Sequence, residues 1–238
     1  MAEVHKILAT IKTALEAGEP PLNVDQPPIH EHHRRHHARP LAVGPEHRAE
    51  LATSLARELE AVGGKFAGIV TPAEVTNRIV TLAREIGATR VSIGGSASLD
   101  MDAIGEALER ADFRVIKAVP VADSERSAMR EQIANSDLGI AEAEYGIAST
   151  GTLAVVSTET RPGSLTLLPT ASLIVVQIDR LVPDLAAMFA LLGPERLAEH
   201  RLTLITGPSR TADIEKRIVL GVHGPKALHV IVVWPRDE

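Results

Sequence analysis

Between Phe66 and Ala134 the chain alternates, at short spacing, between runs that read as buried strands and segments with apolar residues at helical intervals. Phe66 to Val70, Arg90 to Ile93 and Phe113 to Ala118 have the strand character. Thr71 to Ile86, Asp100 to Ala111 and Ala122 to Ala134 have the helical period. The first of these helices opens on Thr71-Pro72-Ala73-Glu74, a hydroxyl cap, a proline at the first helical position and a carboxylate in the first turn. Strand, helix and strand at this spacing imply a parallel sheet with right-handed crossovers. The predicted class is α/β, with helices on both faces of a mostly parallel sheet. Composition agrees: hydrophobic residues make up 45% of the chain but Phe, Trp and Tyr only 2%, so the core is aliphatic. Strands covered on both faces have that texture.

Upstream, Leu51, Leu55, Leu59 and Val62 give a helix that stops at Gly63-Gly64. Val4, Ile7, Leu8, Ile11 and Leu15 give another, followed by Pro20, Pro21, Pro27 and Pro28. The organisation expected is an N-terminal helical arm with a flexible Pro/His-rich linker over residues 1–45, then one α/β domain over 46–238. Downstream, Tyr145 to Ala148 and Thr152 to Ser157 read as strands flanking Ser149-Thr150-Gly151, and Leu173 to Ile178 as a further strand. Residues 145–178 are expected to form a β-rich excursion from the parallel sheet. Leu181 to Leu192 reads as a helix, Leu202 to Ile205 as a strand and Leu228 to Trp234 as the last strand.

Charge and residue usage narrow the function classes. A net charge of −6 argues against nucleic acid as a partner, which needs a basic face. No apolar run reaches the roughly 18 residues of a membrane span. The N-terminal residues Met1 to Lys6 lack the pattern of a signal peptide, so the cytoplasm is the expected location. Cysteine is absent. This chain alone therefore forms no disulfide, performs no thiol catalysis and ligates no iron–sulfur cluster through cysteine. An electron carrier for any redox role sits on a partner or is a bound small molecule of unknown identity.

Several runs could carry chemistry. His30-Glu31-His32-His33-Arg34-Arg35-His36-His37 has the imidazole density of a weak metal site, but interspersed arginines and a linker setting favour a solvated segment. No metal site is assigned. Gly94-Gly95-Ser96 follows a strand and precedes a helix, where small residues let backbone N–H groups approach an anion or simply make a tight turn. Thr150-Gly151-Thr152 offers two hydroxyls around a glycine free to take positive φ, although a plain hairpin explains the same residues. Thr206-Gly207-Pro208-Ser209-Arg210-Thr211-Ala212-Asp213-Ile214-Glu215 reads as a strand end followed by a capped helix start. Its Asp213 and Glu215 lie in the first turn, and Arg210 is placed to meet an anionic oxygen. His223, held between Gly221-Val222 and Gly224-Pro225, is the candidate acid/base. The expected site is a shared pocket for a small carboxylate or phosphate at the carboxyl ends of the strands. Gly94, Gly95, Ser96, Thr150, Gly151, Thr152, Thr206, Gly207, Ser209, Arg210 and Asp213 would bind the ligand and His223 would act on it.

The ordered series Ala148–Thr152, Leu167-Leu168-Pro169, Val182-Pro183-Asp184-Leu185, Thr206–Glu215 and Gly221–Pro225 resembles the LUD domain of bacterial lactate-utilisation proteins. The likeness runs from about residue 46 to 235. It implies the three-layer α/β/α fold shared with ribose-5-phosphate isomerase, glucosamine-6-phosphate deaminase and CoA-transferases. It also implies a role in oxidising L-lactate to pyruvate with iron–sulfur partner subunits. Lacking cysteine, the chain is similar to the family's C subunit. Ser149 stands where many relatives carry Glu, the covalent nucleophile of CoA-transferases with this fold, so that chemistry is not carried over. Gly94-Gly95-Ser96 likewise replaces a frequent Lys. Glu142 and Glu144, upstream of the small-residue turn, receive no role. The alternative reading is a stand-alone enzyme or binding protein for a small phosphorylated or CoA-linked acid.

Overall fold

The computed structural model describes residues 44–199, 201–212, 218–220 and 224–234. The expected helix over residues 4–15, the linker to residue 43, the histidine run, Asp213 and His223 lie outside these described residues. Helix α1 (Pro45–Ala61) starts with proline in its first turn, where a missing N–H costs nothing, and buries Leu51, Leu55 and Leu59 along one stripe. Strand β1 (Lys65–Val70) follows. Helix α2 (Val75–Glu85) begins three residues later than the proline start the sequence suggests. Thr71 to Glu74 instead close a turn of their own, with the Thr71 N–H and Oγ1 donating to the Glu74 carboxylate at 2.9 and 2.8 Å.

Strand β2 (Arg90–Ile93), helix α3 (Met101–Arg110), strand β3 (Arg114–Lys117), helix α4 (Arg126–Ala134) and strand β4 (Leu138–Glu142) continue the alternation. Asp100 caps α3 by accepting from the Ala103 N–H at 2.9 Å. Asp137 ties the start of β4 to that of β2, accepting from the Thr89 N–H, Thr89 Oγ1 and Arg90 N–H at 2.9, 2.7 and 2.8 Å.

The chain then leaves the main sheet through β5 (Tyr145–Ile147) and β6 (Thr152–Ser157), turns through the short helix α5 (Ser164–Leu167) and returns as β7 (Ala171–Gln177). The two-residue strand β8 (Leu181–Val182), helix α6 (Leu185–Glu199) and β9 (Arg201–Ile205) follow. Strands β10 (Arg210–Ala212) and β11 (Ile218–Leu220) pair antiparallel, and β12 (Ala227–Val233) closes the fold.

The main sheet has the order β1-β12-β7-β4-β2-β3 and every pairing in it is parallel. Helices α2 and α3 cover one face, with Ile79, Ile104 and Leu108 packed on Val91, Ile140 and Val175. On the other face Ile174, Val176 and Val230 meet Leu55 and Leu59 of α1 and Leu153 of β6. The architecture is a three-layer α/β/α arrangement. One outer layer is shared between α1 and a second sheet of order β8-β5-β6-β9, itself backed by Met188 and Leu192 of α6.

Three expectations change in the structure. The β-rich excursion holds only 145–157, because Leu173 to Val176 are the buried apolar middle of β7, which lies between β12 and β4 inside the main sheet. Leu181 and Val182 pair with β5, and Pro183-Asp184 defer the helix to Leu185, where the Asp184 carboxylate accepts from the Ala187 N–H at 2.8 Å. After Ser209 the chain forms a strand, with Arg210 to Ala212 opposite Leu220 to Ile218, and the expected first helical turn with Asp213 and Glu215 lies outside the described residues.

Candidate functional site

Strand β2 leads to β3 on one side, whereas the next strand in sequence, β4, lies on the other side of β2. The connections leaving the carboxyl ends of β2 and β4 therefore diverge, which is where open α/β sheets leave a ligand crevice. Glu142 is the last residue of β4 and is only 6% exposed. Its carboxylate accepts from Ser96 Oγ at 2.6 Å, from the Ala97 N–H at 2.7 Å and from Ser98 Oγ. Gln177, at the carboxyl end of neighbouring β7, donates from Nε2 to Ser98 Oγ at 2.6 Å. The turn after β2 thus has the donors of an anion cradle, and the anion it holds is the protein's own.

Arg161 completes the network from the loop after β6. Its Nη1 lies 3.7 Å from Glu142 Oε2 and its Nη2 3.8 Å from Glu144 Oε2, and Nε donates to the Val156 carbonyl at 3.0 Å. All three charged side chains are buried or nearly so. Partnership of this kind is what makes buried charge tolerable. The same loop lies over the glycine turn. The Gly95 N–H donates to the Thr160 carbonyl at 2.7 Å, and a Cβ on Gly94 would come within 2.9 Å of that oxygen. The two glycines leave room for the Leu165 side chain, the Thr160 side chain and the Thr160 carbonyl.

The other expected residues gather elsewhere. Thr150 Oγ1 and Thr152 Oγ1 are 2.8 Å apart, and Thr152 Oγ1 is 2.6 Å from Thr206 Oγ1. The antiparallel pairing of β6 with β9 causes this, setting Leu153 opposite Ile205. Gly151 has φ +65°, and a Cβ there would lie 2.3 Å from the Leu59 nitrogen, so glycine lets the turn rest on the backbone of α1. Thr206, Gly207 and Ser209 border a cavity of about 220 Å³, together with Thr166, Ser172 and Gly224. The Ser209 N–H donates to the Pro225 carbonyl at 2.9 Å, two residues before β12 begins. Arg210 turns to α1, where Nη2 donates to the Val62 carbonyl at 2.6 Å.

This cavity lies at the amino ends of β7 and β12, bordered by Ser172 and Leu228, which are register partners. Gly94, Gly95 and Ser96 lie at the carboxyl end. Five residue steps along β7 lead from Ser172 to Gln177, roughly 16 Å at about 3.3 Å per residue. The single pocket expected from the sequence is therefore corrected to two separate places, because β9 delivers Thr206 to Ser209 to the start of β12 and not to its end. A wider hollow of about 500 Å³ beside Val70, Glu74 and Trp234 carries none of the expected residues. Among the described residues no three of His, Asp and Glu converge as metal ligands.

Sequence reading passed over Glu142, Arg161, Ser98, Gln177 and Ser172. One signal was available: a carboxylate closing the otherwise apolar strand Leu138-Gly139-Ile140-Ala141-Glu142 has to be buried with partners.

The family model described as the LUD domain matches residues 52–233. The chain belongs to the LUD domain family. Its relatives include an Escherichia coli K12 protein named "Uncharacterized protein YkgG", 31% identical over 169 residues, 69% of this chain and 71% of that one. Two proteins named "Lactate utilization protein C" are also similar. The one from Halalkalibacterium halodurans is 35% identical over 43% of this chain and 46% of its own length, and the one from Bacillus licheniformis 32% over 41% and 42%. The matched stretch thus spans less than half the length of these two relatives. The solved structure of a DUF162 family protein from Deinococcus radiodurans matches with a TM-score of 0.56 at 19% identity, covering 78% of this chain and 98% of that one. That likeness bears on the fold, and it fits the three-layer LUD architecture. Among the described residues of this LUD domain, no helix is long and apolar enough to cross a membrane.

Proposed function

We propose that this LUD domain protein is a subunit of an L-lactate utilisation system, supporting the oxidation of L-lactate to pyruvate together with iron–sulfur partner proteins. The observation that carries the reading is membership of the LUD family combined with similarity to several bacterial proteins named "Lactate utilization protein C". The cysteine-free sequence supports a division of labour. Oxidising the C–H and O–H of lactate to a carbonyl releases two electrons and two protons, and cysteine-ligated clusters to receive the electrons would have to come from partners. A cytoplasmic setting belongs to the same reading.

Within it, the carboxyl-end network serves as an organising element. The network fixes the 94–98 turn and the 158–161 loop against each other, as a surface presented to a partner requires.

Deletion of the gene is expected to abolish growth on L-lactate while sparing growth on pyruvate. Affinity purification from native cells is expected to bring down cysteine-rich, iron-containing proteins in fixed ratio. Undiminished growth of the deletion strain on L-lactate would remove the assignment.

A further inference from the structure

A change of strand register builds the hollow of about 500 Å³ at the carboxyl ends of β1 and β12. From Phe66 to Ile69, β1 takes three steps where its partner β12 takes two, from Val230 to Val232. Gly68 lies within this bulge with φ +110°, a conformation that glycine adopts at little cost. Regular alternation would set Phe66 and Ile69 on opposite faces of the sheet. The bulge puts them on the same face: Phe66 aligns with Val230 and Ile69 with Val232, both in the cluster packed under α1. Ile69 is left 45% exposed there, and Trp234, just past β12, is half-buried against the same cluster. The Trp234 backbone N–H donates to the Val70 carbonyl at 2.8 Å, which ties the two strand ends together at the rim.

Ile69, Trp234 and Arg48 all keep accessible surface, so a molecule entering the hollow can touch them. Ile69 and Trp234 offer an apolar surface on which a small body is removed from water. Arg48, three residues into α1, brings a guanidinium, the group that meets a carboxylate through two parallel hydrogen bonds. Glu74 also borders the hollow, and its carboxylate accepts from the Thr71 N–H and Oγ1 at 2.9 and 2.8 Å. The volume falls within the roughly 300–1,000 Å³ typical of small-molecule sites. The carboxyl ends of the strands are also where α/β sheets hold their ligands.

We propose that this hollow is a binding site for a small organic acid. The carboxylate meets the Arg48 guanidinium, and the apolar body lies against Trp234 and Ile69. One fork of N–H donors and two apolar side chains define that class of ligand. The site stands independently of any role in lactate metabolism, because binding alone tests it.

Trp234 is the only tryptophan of the chain, so its emission reports on the hollow directly. The probe pair is phenylacetate and phenylacetamide, alike in shape and different in charge, titrated into the full-length ¹⁵N-labelled protein. Phenylacetate is expected to change the Trp234 emission saturably and to shift the amides of Val70 and Thr71, and phenylacetamide to bind at least tenfold more weakly. Arg48→Gln is expected to weaken phenylacetate at least tenfold while leaving phenylacetamide and the melting temperature unchanged. Ile69→Ser, at an exposed position, is expected to weaken both probes while the fold persists. Absence of any saturable change with phenylacetate in emission and amide shifts, equal affinity for the two probes, or unchanged phenylacetate affinity in Arg48→Gln would each overturn the proposal. So would a crystal structure in which the chain's own residues 235–238 fill the hollow and remain there at saturating phenylacetate.

Discussion

Arg161 and Glu142 approach to 3.7 Å inside the protein, each less than a tenth exposed, although 19 positions separate them in sequence and they come from different elements. Glu144 lies 3.8 Å from the same guanidinium. Removing the cation would take away the guanidinium that both carboxylates approach. Arg161→Ala is therefore expected to cost about 3–5 kcal/mol in urea unfolding, the range for breaking a buried charge pair from one side. The double change Glu142→Gln with Arg161→Met should cost less than the sum of its parts. Additive losses would show that the two side chains act separately.

Gly151 offers a sharper steric test. Its φ of +65° is strained for any other residue, and the added Cβ of Gly151→Ala would sit 2.3 Å from the Leu59 nitrogen of α1. A loss of roughly 2 kcal/mol or more is expected from strain and displacement together. Gly44→Ala, where a Cβ meets nothing within 4 Å, serves as the control and should change stability by less than about 0.5 kcal/mol.

His229, in the middle of β12, sets a pH dependence. Burial is the main reason its pKa falls below the ordinary histidine value, and the cations Lys65 and Arg78 push it the same way while Glu85 opposes them. The folded state therefore favours the neutral ring, and between the two pKa values the unfolded chain binds more protons. Stability from this source is present above the unfolded value near 6.5 and is lost as pH falls through the folded value. Urea midpoints are expected to drop between pH 7.5 and pH 5 in the wild type and to drop less in His229→Leu. A parallel fall in both proteins would exclude the histidine as its source.

Asp137 acts lower on the pH scale. Burial raises its pKa, but the hydrogen bonds from Thr89 Oγ1, the Thr89 N–H and the Arg90 N–H, with the charge of Arg90, outweigh burial and hold the carboxyl below its usual value. Its contribution is present above about pH 4 and is lost as pH falls through the depressed folded value. Asp137→Asn should destabilise the protein at pH 7 and flatten its acid unfolding curve below pH 4. An unchanged curve would mean that the clasp between β2 and β4 carries no linkage.

Arg210 was expected to face an anion, and its bond to the Val62 carbonyl gives it a structural task at the end of α1. Arg210→Ala is expected to lower stability by only about 0.5–1 kcal/mol. Isothermal denaturation measures this directly, and a loss several times larger would require contacts beyond that one bond.

The alternation of buried runs with helical-period segments was enough to set the α/β class and the parallel sheet, because both periods are local properties of the chain. The freedom of the glycine at position 151 to take positive φ was legible for the same reason. What no local pattern encodes is the order β1-β12-β7-β4-β2-β3. That order sends Glu142 to the donors Ser96 and Ser98, 46 and 44 positions earlier, and sends Thr206 to Ser209 to the amino ends of the strands, away from Gly94. The motifs identified where the chain turns. Which turns meet was decided by strand pairing across long loops, and by the need of each buried carboxylate for partners that only the folded sheet supplies.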